Sequence, residues 1–339
     1  MAQIVDVGID LGTASVVICG RDSGVILNEP AVVAVERGRR TVTAIGTEAY
    51  RMIGRTPGNI AAVRPLRDGT VSDFDLVSEM LSYFVRKACG KHLFGGPQAV
   101  ITLPSGINDM ESHSLISCLF NAGVRRTRIL PKPIAAALGA SMKIGEAYGQ
   151  MVVDIGAGLT DMAVTSVGKI VTGKSTDCAG DCFDDAIIRY IRRKHNLLIG
   201  EITAEEIKRD LASALPRGER LYMEITGRNL ITGLPRVMRV SSDEAGEAVE
   251  DAVLDLIENI HAVLEYTPAE LAADILDNGI ILTGGGAQLD GLPERIGEAL
   301  KVNCRLADDP QLCAAKGCLL AVENRKEYAR YFTERRRRG

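Results

Sequence analysis

Two short segments place an acidic residue at the end of an apolar run and follow it with a tight turn of small residues, Asp10–Ala14 and Asp154–Gly158. Another apolar run follows each turn, so each segment is typical of a β-hairpin. The backbone N–H groups of such a tip can face a phosphate, because no bulky side chain keeps the anion away. The aspartates can hold Mg²⁺ through water, since this ion prefers oxygen ligands and retains several waters. Two such copies predict two similar domains that close on one nucleotide.

Composition narrows the class of protein. At 339 residues the chain exceeds one ordinary core, and 46% hydrophobic with 25% charged residues is typical of a folded globular protein. The net charge of −4 and the lack of tryptophan give no indication of a nucleic-acid partner. The eight cysteines show no paired C-x-x-C spacing, which favours free thiols in a reducing cytosol over a zinc site. We find neither a signal peptide nor the roughly 18 apolar residues of a membrane span, so we expect a cytoplasmic protein.

Strands and helices alternate along the chain in two series, which predicts an α/β fold. Apolar residues at helical spacing predict a helix over Asp73–Cys89, with its first residue as the N-cap. Alternation predicts one strand over Val25–Val35, and Thr203 with Glu206 predicts a capping box at the start of another helix. Further helices are predicted over 109–122, 133–142, 181–195, 243–265 and 292–300, and from residue 316 onwards.

Beyond the hairpins, several longer segments match one family. They are GIDLGTA (Gly8–Ala14), LNEP (Leu27–Pro30), GRTPGNI (Gly54–Ile60), RPL (Arg64–Leu66), PSGI (Pro104–Ile107), Ile187–Ile207, ITGLPR (Ile231–Arg236), LAADI (Leu271–Ile275) and the glycine turn ILTGGG (Ile281–Gly286). Through them the sequence resembles MreB, the bacterial actin, within the superfamily of actin, Hsp70 and the sugar kinases. The resemblance extends over about residues 4–322, well beyond the phosphate hairpins that sugar kinases share.

The resemblance implies an actin-like two-lobed fold. Each lobe would contain an RNase H-like domain with a smaller subdomain, and the nucleotide cleft would lie between the lobes. The first lobe would be residues 1–148, with its small subdomain at about 34–70. The second would be residues 149–339, with its small subdomain at about 182–245. The implied cofactors are ATP and Mg²⁺.

The resemblance also implies a role for each residue around the cleft. Asp10 and Asp154 would hold the metal ion through water, and the glycine turn would wall the base. The residues implied to contact the nucleotide are Gly12, Thr13, Ala14, Gly156, Ala157, Gly158, Gly180, Glu205, Lys208, Gly284, Gly285 and Gly286. Without the resemblance, Glu205 and Lys208 would be read as an exposed helix pair and the glycines as a plain turn.

Two departures from the family pattern fall on residues for hydrolysis. MreB proteins usually have a glutamate, which orients or activates the attacking water, where this chain has Lys132. The second hairpin usually reads Gly-Gly-Gly-Thr-Thr, whereas here Leu159 replaces a hydroxyl residue and Ala157 a glycine. A protonated lysine has three donors and no acceptor, so it cannot take a proton from water. We therefore expect weak ATP hydrolysis, unless another acidic residue substitutes.

Leu93 and Phe94 fall in a glycine-flanked segment that we expect to form a loop, and the resemblance implies that this loop is a membrane-insertion point. On their own they would equally suit a local core contact. Two such side chains bury too little area to anchor one subunit, whereas a filament would bind through many copies. The run Arg335–Arg338 would attract an anionic membrane or form a solvated tail.

The resemblance therefore implies a filament-forming, membrane-associated protein that guides cell-wall synthesis and cell shape. Its place would be the cytoplasm, peripheral on the inner face of the cytoplasmic membrane. Its implied partners are copies of itself, the anionic membrane surface, membrane proteins of the wall-elongation machinery and MreB paralogues, without nucleic acid. Two alternatives stay open: a regulatory pseudo-ATPase paralogue that co-polymerises with an active MreB, and a small-molecule kinase of the same superfamily.

Overall fold

The computed structural model describes residues 6–67, 70–90 and 96–332. Leu93, Phe94 and the run Arg335–Arg338 lie outside these residues. Strands and helices alternate in two series, which confirms the predicted α/β class. Among the described residues, we find no helix with the length and apolar character needed to cross a membrane.

The first half of the chain forms a larger sheet, a small sheet and the helices packed on them. Its elements are β1 (Asp6–Leu11), β2 (Ser15–Gly20), β3 (Gly24–Pro30), β4 (Val33–Glu36), β5 (Thr41–Ile45), α1 (Thr47–Tyr50), β6 (Ile60–Val63), β7 (Leu66–Arg67), β8 (Thr70–Val71), α2 (Phe74–Cys89), β9 (Gln98–Leu103), α3 (Asp109–Asn121), β10 (Arg126–Pro131) and α4 (Lys132–Gly139).

The second half repeats this plan with longer helices. Its elements are β11 (Gln150–Ile155), β12 (Thr160–Ser166), β13 (Lys169–Thr176), α5 (Gly180–His195), β14 (Leu197–Leu198), α6 (Glu201–Asp210), β15 (Tyr222–Asn229), β16 (Pro235–Ser241), α7 (Ser242–Glu265), α8 (Ala269–Asn278), β17 (Ile280–Thr283), α9 (Leu292–Leu300), β18 (Cys304–Leu306) and α10 (Cys313–Glu323), with short 3₁₀ turns at Gly286–Gln288, Pro310–Leu312 and Tyr328–Tyr331.

The two five-stranded sheets have the same topology. Their strand orders are β3-β2-β1-β9-β10 and β13-β12-β11-β17-β18. In each, an antiparallel hairpin, β1–β2 or β11–β12, is flanked by a third antiparallel strand and by two parallel strands. The central strands β1 and β11 are almost entirely buried, as expected for a sheet covered on both faces. The repeated topology brings the ends of β1 and β11, with their aspartates, to equivalent places.

Helices α4 and α10 form the core that joins the two sheets. They share one apolar cluster with Val100 of β9 and Val152 of β11. Their backbones nearly touch, because a Cβ added to Gly139 would lie 1.8 Å from the carbonyl oxygen of Cys313. A Cβ added to Gly317 would lie 1.9 Å from the carbonyl oxygen of Ala135. Only glycine permits this approach, which sets the distance between α4 and α10.

Some local predictions from the sequence are confirmed by the structure, and others are wrong. Asp73 caps α2 as predicted, since its side chain accepts the Leu76 N–H at 3.3 Å. The predicted capping box of Thr203 and Glu206 is wrong, because α6 already begins at Glu201 and both residues lie inside it. The helix predicted from residue 316 begins three residues earlier, within α10.

The single strand predicted over Val25–Val35 is also wrong, because the chain changes sheet within it. β3 ends at Pro30 and pairs with β2, whereas β4 pairs with β5 and β6 of the small sheet. At the break, the Ala31 N–H donates to the carbonyl oxygen of Ala14, which ties the crossing point to the first hairpin tip. Alternation of apolar residues cannot reveal such a change of sheet, because both strands follow the same period.

Candidate functional site: a cleft between two hairpin tips

The tip of the first hairpin is closed by a backbone hydrogen bond and ends beside a fixed aspartate. The Gly12 N–H donates to the Ser15 carbonyl oxygen at 2.9 Å, and a Cβ on Gly12 would lie 2.9 Å from that oxygen. The carboxylate of Asp10 is buried and accepts the Thr102 hydroxyl at 2.6 Å. Thr102 comes from the neighbouring parallel strand β9, so the sheet itself fixes the orientation of Asp10.

The second tip is built in the same way. The Gly156 N–H donates to the Leu159 carbonyl oxygen at 2.9 Å, and a Cβ on Gly156 would lie 2.8 Å from that oxygen. Asp154 accepts the hydroxyl of Thr283 at 2.8 Å, and Thr283 again comes from the neighbouring parallel strand, β17. The two tips are therefore equivalent structures with equivalent supports for their aspartates.

Helix α5 binds the second tip through two backbone hydrogen bonds. The N–H of Gly180 donates to the carbonyl oxygen of Gly156 at 3.0 Å, and the Asp181 N–H donates to that of Ala157 at 2.8 Å. A Cβ on Gly180 would lie 3.1 Å from the same Gly156 oxygen, so a larger residue would separate the helix from the tip. The carbonyl oxygens of Gly156 and Ala157 are thus bound by the helix, so the anion-binding donors of this tip would be N–H groups other than that of Gly156, which closes the turn.

Lys132 stands at the start of α4 and forms an ion pair with Asp154. Its ammonium lies 3.4 Å from Oδ2 of Asp154, the oxygen that Thr283 leaves free, and the two side chains are 13% and 3% exposed. Burial acts to lower the pKa of Lys132, but the negative charges of Asp10, Asp154 and Asp161 outweigh it and raise that pKa. Burial also raises the pKa of Asp154, against the opposing charge of Lys132. Lys132 is therefore a fixed cation in the cleft.

Asp161 is a cleft residue that sequence reasoning missed. It lies opposite Asp154 in the β11–β12 pairing and is 1% exposed. Its Oδ1 accepts the Ser105 N–H at 3.0 Å and the Ser175 hydroxyl. Burial raises its pKa, while these donors and Lys132 act in the opposite direction. Counting outward from the two-residue turn would have placed it opposite Asp154, so the signal was in the sequence.

Thr160, which follows Leu159 in the second hairpin, does not replace the missing hydroxyl. It is fully buried, and its hydroxyl donates to the Cys178 carbonyl oxygen at 2.7 Å. Leu159 itself lines the cleft with an apolar side chain. The tip therefore presents no side-chain hydroxyl from either position.

A glycine turn after β17 forms another wall of the cleft. Gly284 has a positive φ of 85°, and a Cβ there would lie 2.2 Å from the Ile155 carbonyl oxygen. A Cβ on Gly286 would lie 2.7 Å from Cγ2 of Ile155. Both positions require glycine because β11 passes directly behind the turn. Gly285, by contrast, has open space where a Cβ would be.

The helices α5 and α6 supply the polar residues at the other end of the cleft. The Lys208 ammonium donates to the Gly180 carbonyl oxygen at 3.1 Å and to Asp184 at 2.7 Å. Burial raises the pKa of Asp184 to about 6, partly offset by Lys208. Glu205 accepts the hydroxyl of Tyr50 at 3.0 Å, which links α6 to α1 of the first half. Burial and the charge of Glu205 raise the pKa of Tyr50 to about 12.

These elements enclose one cleft of about 550 Å³, a size typical of small-molecule sites. Every residue that the resemblance implies for nucleotide binding, for the metal ion or for hydrolysis lines this cleft. Those residues are Asp10, Gly12, Thr13, Ala14, Lys132, Asp154, Gly156, Ala157, Gly158, Leu159, Gly180, Glu205, Lys208, Gly284, Gly285 and Gly286. Their individual roles stay predictions.

The residues present fit a nucleotide better than they fit a metal ion. Two glycine-containing tips offer backbone donors, and a glycine wall leaves room for a flat ring. For a divalent ion, Asp10 has a carboxylate facing the cleft, but the oxygen of Asp154 that a hydrated ion would approach is already paired with Lys132. Among the described residues, we find no group of three or more His, Cys, Asp and Glu side chains placed to hold an ion.

Comparison with known proteins identifies the family. The family model for MreB/Mbl protein matches residues 4–330. The cell shape-determining protein Mbl of Bacillus subtilis is 45% identical over 319 residues, which cover 94% of this chain and 96% of that protein. The crystal structure of MreB5 of Spiroplasma citri bound to AMPPNP matches this chain with a TM-score of 0.92 at 31% sequence identity. The match covers 97% of this chain and 98% of the MreB5 chain.

The structure of a MamK double helical filament matches this chain with a TM-score of 0.79 at 22% identity. The match covers 94% of this chain and 98% of the MamK chain. At that identity the likeness shows the fold alone. Together with the match to MreB5, it confirms the actin-like fold that the resemblance implied. The chain belongs to the MreB/Mbl family of cell shape-determining actin homologues.

Proposed function

We propose that this chain binds ATP between its two hairpin tips, assembles into filaments and guides cell-wall synthesis from the inner face of the cytoplasmic membrane. One observation carries the nucleotide part of the proposal. The two tips have the same turn, the same threonine-supported aspartate and a common cleft. Such a pair suits a ligand with a row of anionic groups, because each tip can donate backbone hydrogen bonds to a different phosphate.

The residues around the cleft suit the other parts of the ligand. Glu205 and Lys208 lie at the α6 side, where a ribose and base would extend from the phosphates. The turn Gly284–Gly286 would wall the base, since it lines the cleft with backbone alone. The relative MreB5 was crystallised with AMPPNP and with ADP, which supports the same ligand class for this cleft. We assign the lobes as residues 1–148 and 149–339, with small subdomains at about 34–70 and 182–245.

Calorimetry of the purified protein tests this part of the proposal. We expect ATP to bind with measurable heat and ADP to compete for the same site. Absence of binding under all ionic conditions would overturn the proposal, because the two tips would then not hold a nucleotide.

We further propose that ATP hydrolysis is weak. Lys132 cannot accept a proton from water while it is paired with Asp154. Leu159 offers no hydroxyl to orient the water, and Thr160 is engaged behind the tip. Losing a water-positioning group in phosphoryl transfer typically costs orders of magnitude in rate.

Single-turnover hydrolysis of the wild type and of a Lys132→Glu/Leu159→Thr double variant tests this proposal. We expect the double variant to be faster by about tenfold or more, since it restores an acceptor and a hydroxyl. Equal rates would contradict it. An Asp161→Asn variant tests for a substitute base, because Asp161 is a further buried carboxylate that lines the cleft. A loss of rate in that variant would assign the base to Asp161.

Filament formation and membrane attachment complete the proposal. The MamK structure is a double helical filament with the same fold, which supports self-assembly through this architecture. Membrane attachment rests on Leu93 and Phe94 at the sequence level, and on repetition of that weak contact along a filament. Membrane proteins of the wall-elongation machinery and MreB paralogues are the further partners that we propose. The comparisons do not favour a pseudo-ATPase paralogue or a small-molecule kinase.

Two measurements test the assembly. Electron microscopy with ATP should show filaments of the protein alone, and their appearance only with a paralogue would favour the pseudo-ATPase reading. Liposome pelleting should weaken in a Leu93→Ala/Phe94→Ala variant more than in a chain truncated after Lys326. Unchanged pelleting in both variants would contradict the proposed membrane contact.

A further inference from the structure

The cleft contains an unusual arrangement of fixed charges. Three carboxylates, Asp10, Asp154 and Asp161, are buried and act on the ammonium of Lys132. Lys132 is itself only 13% exposed, and its remaining exposure is toward the cleft that it lines. A buried group of three anions is unfavourable without a cation among them, and here the chain provides one.

Each carboxylate is held in place independently of the lysine. Thr102 donates to Asp10, Thr283 donates to Asp154, and the Ser105 N–H with the Ser175 hydroxyl donates to Asp161. These donors come from the sheets and their adjoining loops, so the positions of the carboxylates do not depend on Lys132 alone.

The backbone of Lys132 is fixed as well. Lys132 is the first residue of α4, whose packing against α10 is fixed by the close approach at Gly139 and Gly317. Its ammonium lies 3.4 Å from the free oxygen of Asp154 and 3.8 Å from where a Cβ on Gly156 would be. It is therefore beside the second tip, at the place where that tip would meet a phosphate.

We propose that Lys132 is a built-in cation that takes the place of a divalent metal ion in this cleft, so that nucleoside triphosphate binds with little dependence on Mg²⁺. An ammonium has three donors, of which Asp154 engages one, and the others can reach a phosphate oxygen. Lys132 thus places one positive charge between the carboxylates and the phosphates, at a position that the double charge of a magnesium ion would otherwise occupy. The inference rests on the proposed function, since it concerns the way in which the same cleft holds ATP.

The test is the affinity for ATP measured by calorimetry in EDTA and in saturating Mg²⁺. We expect the wild-type dissociation constant to differ by less than about threefold between the two conditions. In Lys132→Glu, which replaces the cation by a fourth anion, we expect binding in EDTA to be weaker than in Mg²⁺ by about tenfold or more. Lys132→Arg keeps the charge and should retain the wild-type behaviour.

Lys169→Glu is the matched control. It makes the same change of charge at an exposed position, at the start of β13, whereas the other end of that strand pairs with β12 beside the tip. We expect this variant to bind ATP as the wild type does in both conditions. A metal dependence in this control would mean that overall charge is responsible, and would overturn the proposal.

The wild-type protein alone can also overturn the inference, so the test does not depend on the folding of a variant. If wild-type binding falls by about tenfold or more in EDTA, Lys132 only neutralises Asp154 and does not replace the metal. That result would leave the proposed function intact. Absence of ATP binding in both conditions would instead overturn the proposed function itself.

Discussion

The two hairpin tips are copies of one structure that differ in the charge around them. Both close with the same hydrogen bond, and both fix an aspartate through a threonine of the next parallel strand. Opposite Asp10 lies Val17, however, whereas opposite Asp154 lies a second carboxylate, Asp161. The second tip also has Lys132 beside it. The two tips therefore have the same backbone structure, whereas the side chains around them give each tip a different electrostatic environment.

The largest expected effect tests whether the tips are equivalent. We expect Gly12→Ala and Gly156→Ala each to weaken ATP binding by about 100-fold, or about 2.7 kcal/mol, because the new Cβ would displace a closing carbonyl and open the turn. The new Cβ would lie 2.9 Å from the Ser15 carbonyl oxygen in Gly12→Ala and 2.8 Å from the Leu159 carbonyl oxygen in Gly156→Ala. Calorimetry measures the affinity, and circular dichroism checks that both variants are folded.

Gly200→Ala is the control for this pair, since a Cβ there meets nothing within 4 Å. Its affinity should equal that of the wild type. A loss of affinity in only one of the two tip variants would break the comparison, because it would mean that a single tip binds the phosphates.

A smaller effect should separate the supports of the two aspartates. Removing a hydroxyl leaves a buried carboxylate short of a donor, but Asp154 keeps its ion pair with Lys132. We therefore expect Thr102→Val to lower the free energy of unfolding by about 2 kcal/mol and Thr283→Val by about 1 kcal/mol. Urea denaturation measures both values. The reverse order would contradict the view that Lys132 supports the second tip.

The free energy of unfolding should also depend on pH through Asp184, which lies beside the tip of the second half. Burial raises the pKa of this carboxyl from 3.8 to about 6, so the folded state binds a proton that the unfolded state releases. The free energy of unfolding should therefore fall as pH rises from 4 to 6, by roughly 1.5 kcal/mol after allowance for partial exposure.

Asp184→Asn should remove this part of the pH dependence, and thermal unfolding at several pH values measures it. The exposed neighbour gives the control, since Asp185→Asn should leave the slope unchanged. If the Asp184→Asn and wild-type curves run parallel, the carboxyl does not titrate in this range.

The smallest effect concerns the link between the halves. Tyr50→Phe removes the hydrogen bond to Glu205, which frees the glutamate for a nucleotide. We expect ATP affinity to rise by about threefold, because the bond no longer competes with the ligand. Tyr266→Phe, at a tyrosine that is 79% exposed, should have no effect. An unchanged affinity in Tyr50→Phe would mean that Glu205 does not contact the nucleotide.

The parts of the site that the sequence predicted are those encoded locally. A β-branched run, an aspartate and a small-residue turn determine a hairpin within about ten residues, so both tips could be found. Asp161 was also within reach, because a two-residue turn fixes the register of its hairpin. The resemblance to a family supplied the α6 residues and the glycine wall, which composition and spacing would have left as ordinary surface and loop.

The remainder depends on contacts between distant parts of the chain. Lys132 stood out only as a departure from a family pattern, and its environment of three carboxylates exists because the ends of β1, β11 and β12 converge. The pair of Tyr50 and Glu205 joins residues that are far apart in sequence. The predicted start of α6 was wrong for the opposite reason. The local sequence has a good capping pattern, but the helix begins before it.

The crossing of α4 and α10 has a consequence for how the protein is made. Residues 313–323 of α10 cover the first sheet, and Gly8 of β1 leaves room for Cys318 of that helix. During translation, the first sheet therefore emerges from the ribosome long before the helix that completes its core. Its apolar face therefore stays uncovered while about 200 further residues are synthesised at roughly 5–20 per second. Nascent chains of this protein should accordingly engage holdase chaperones until α10 appears, and final docking of that helix should be the step that commits both halves to the native state.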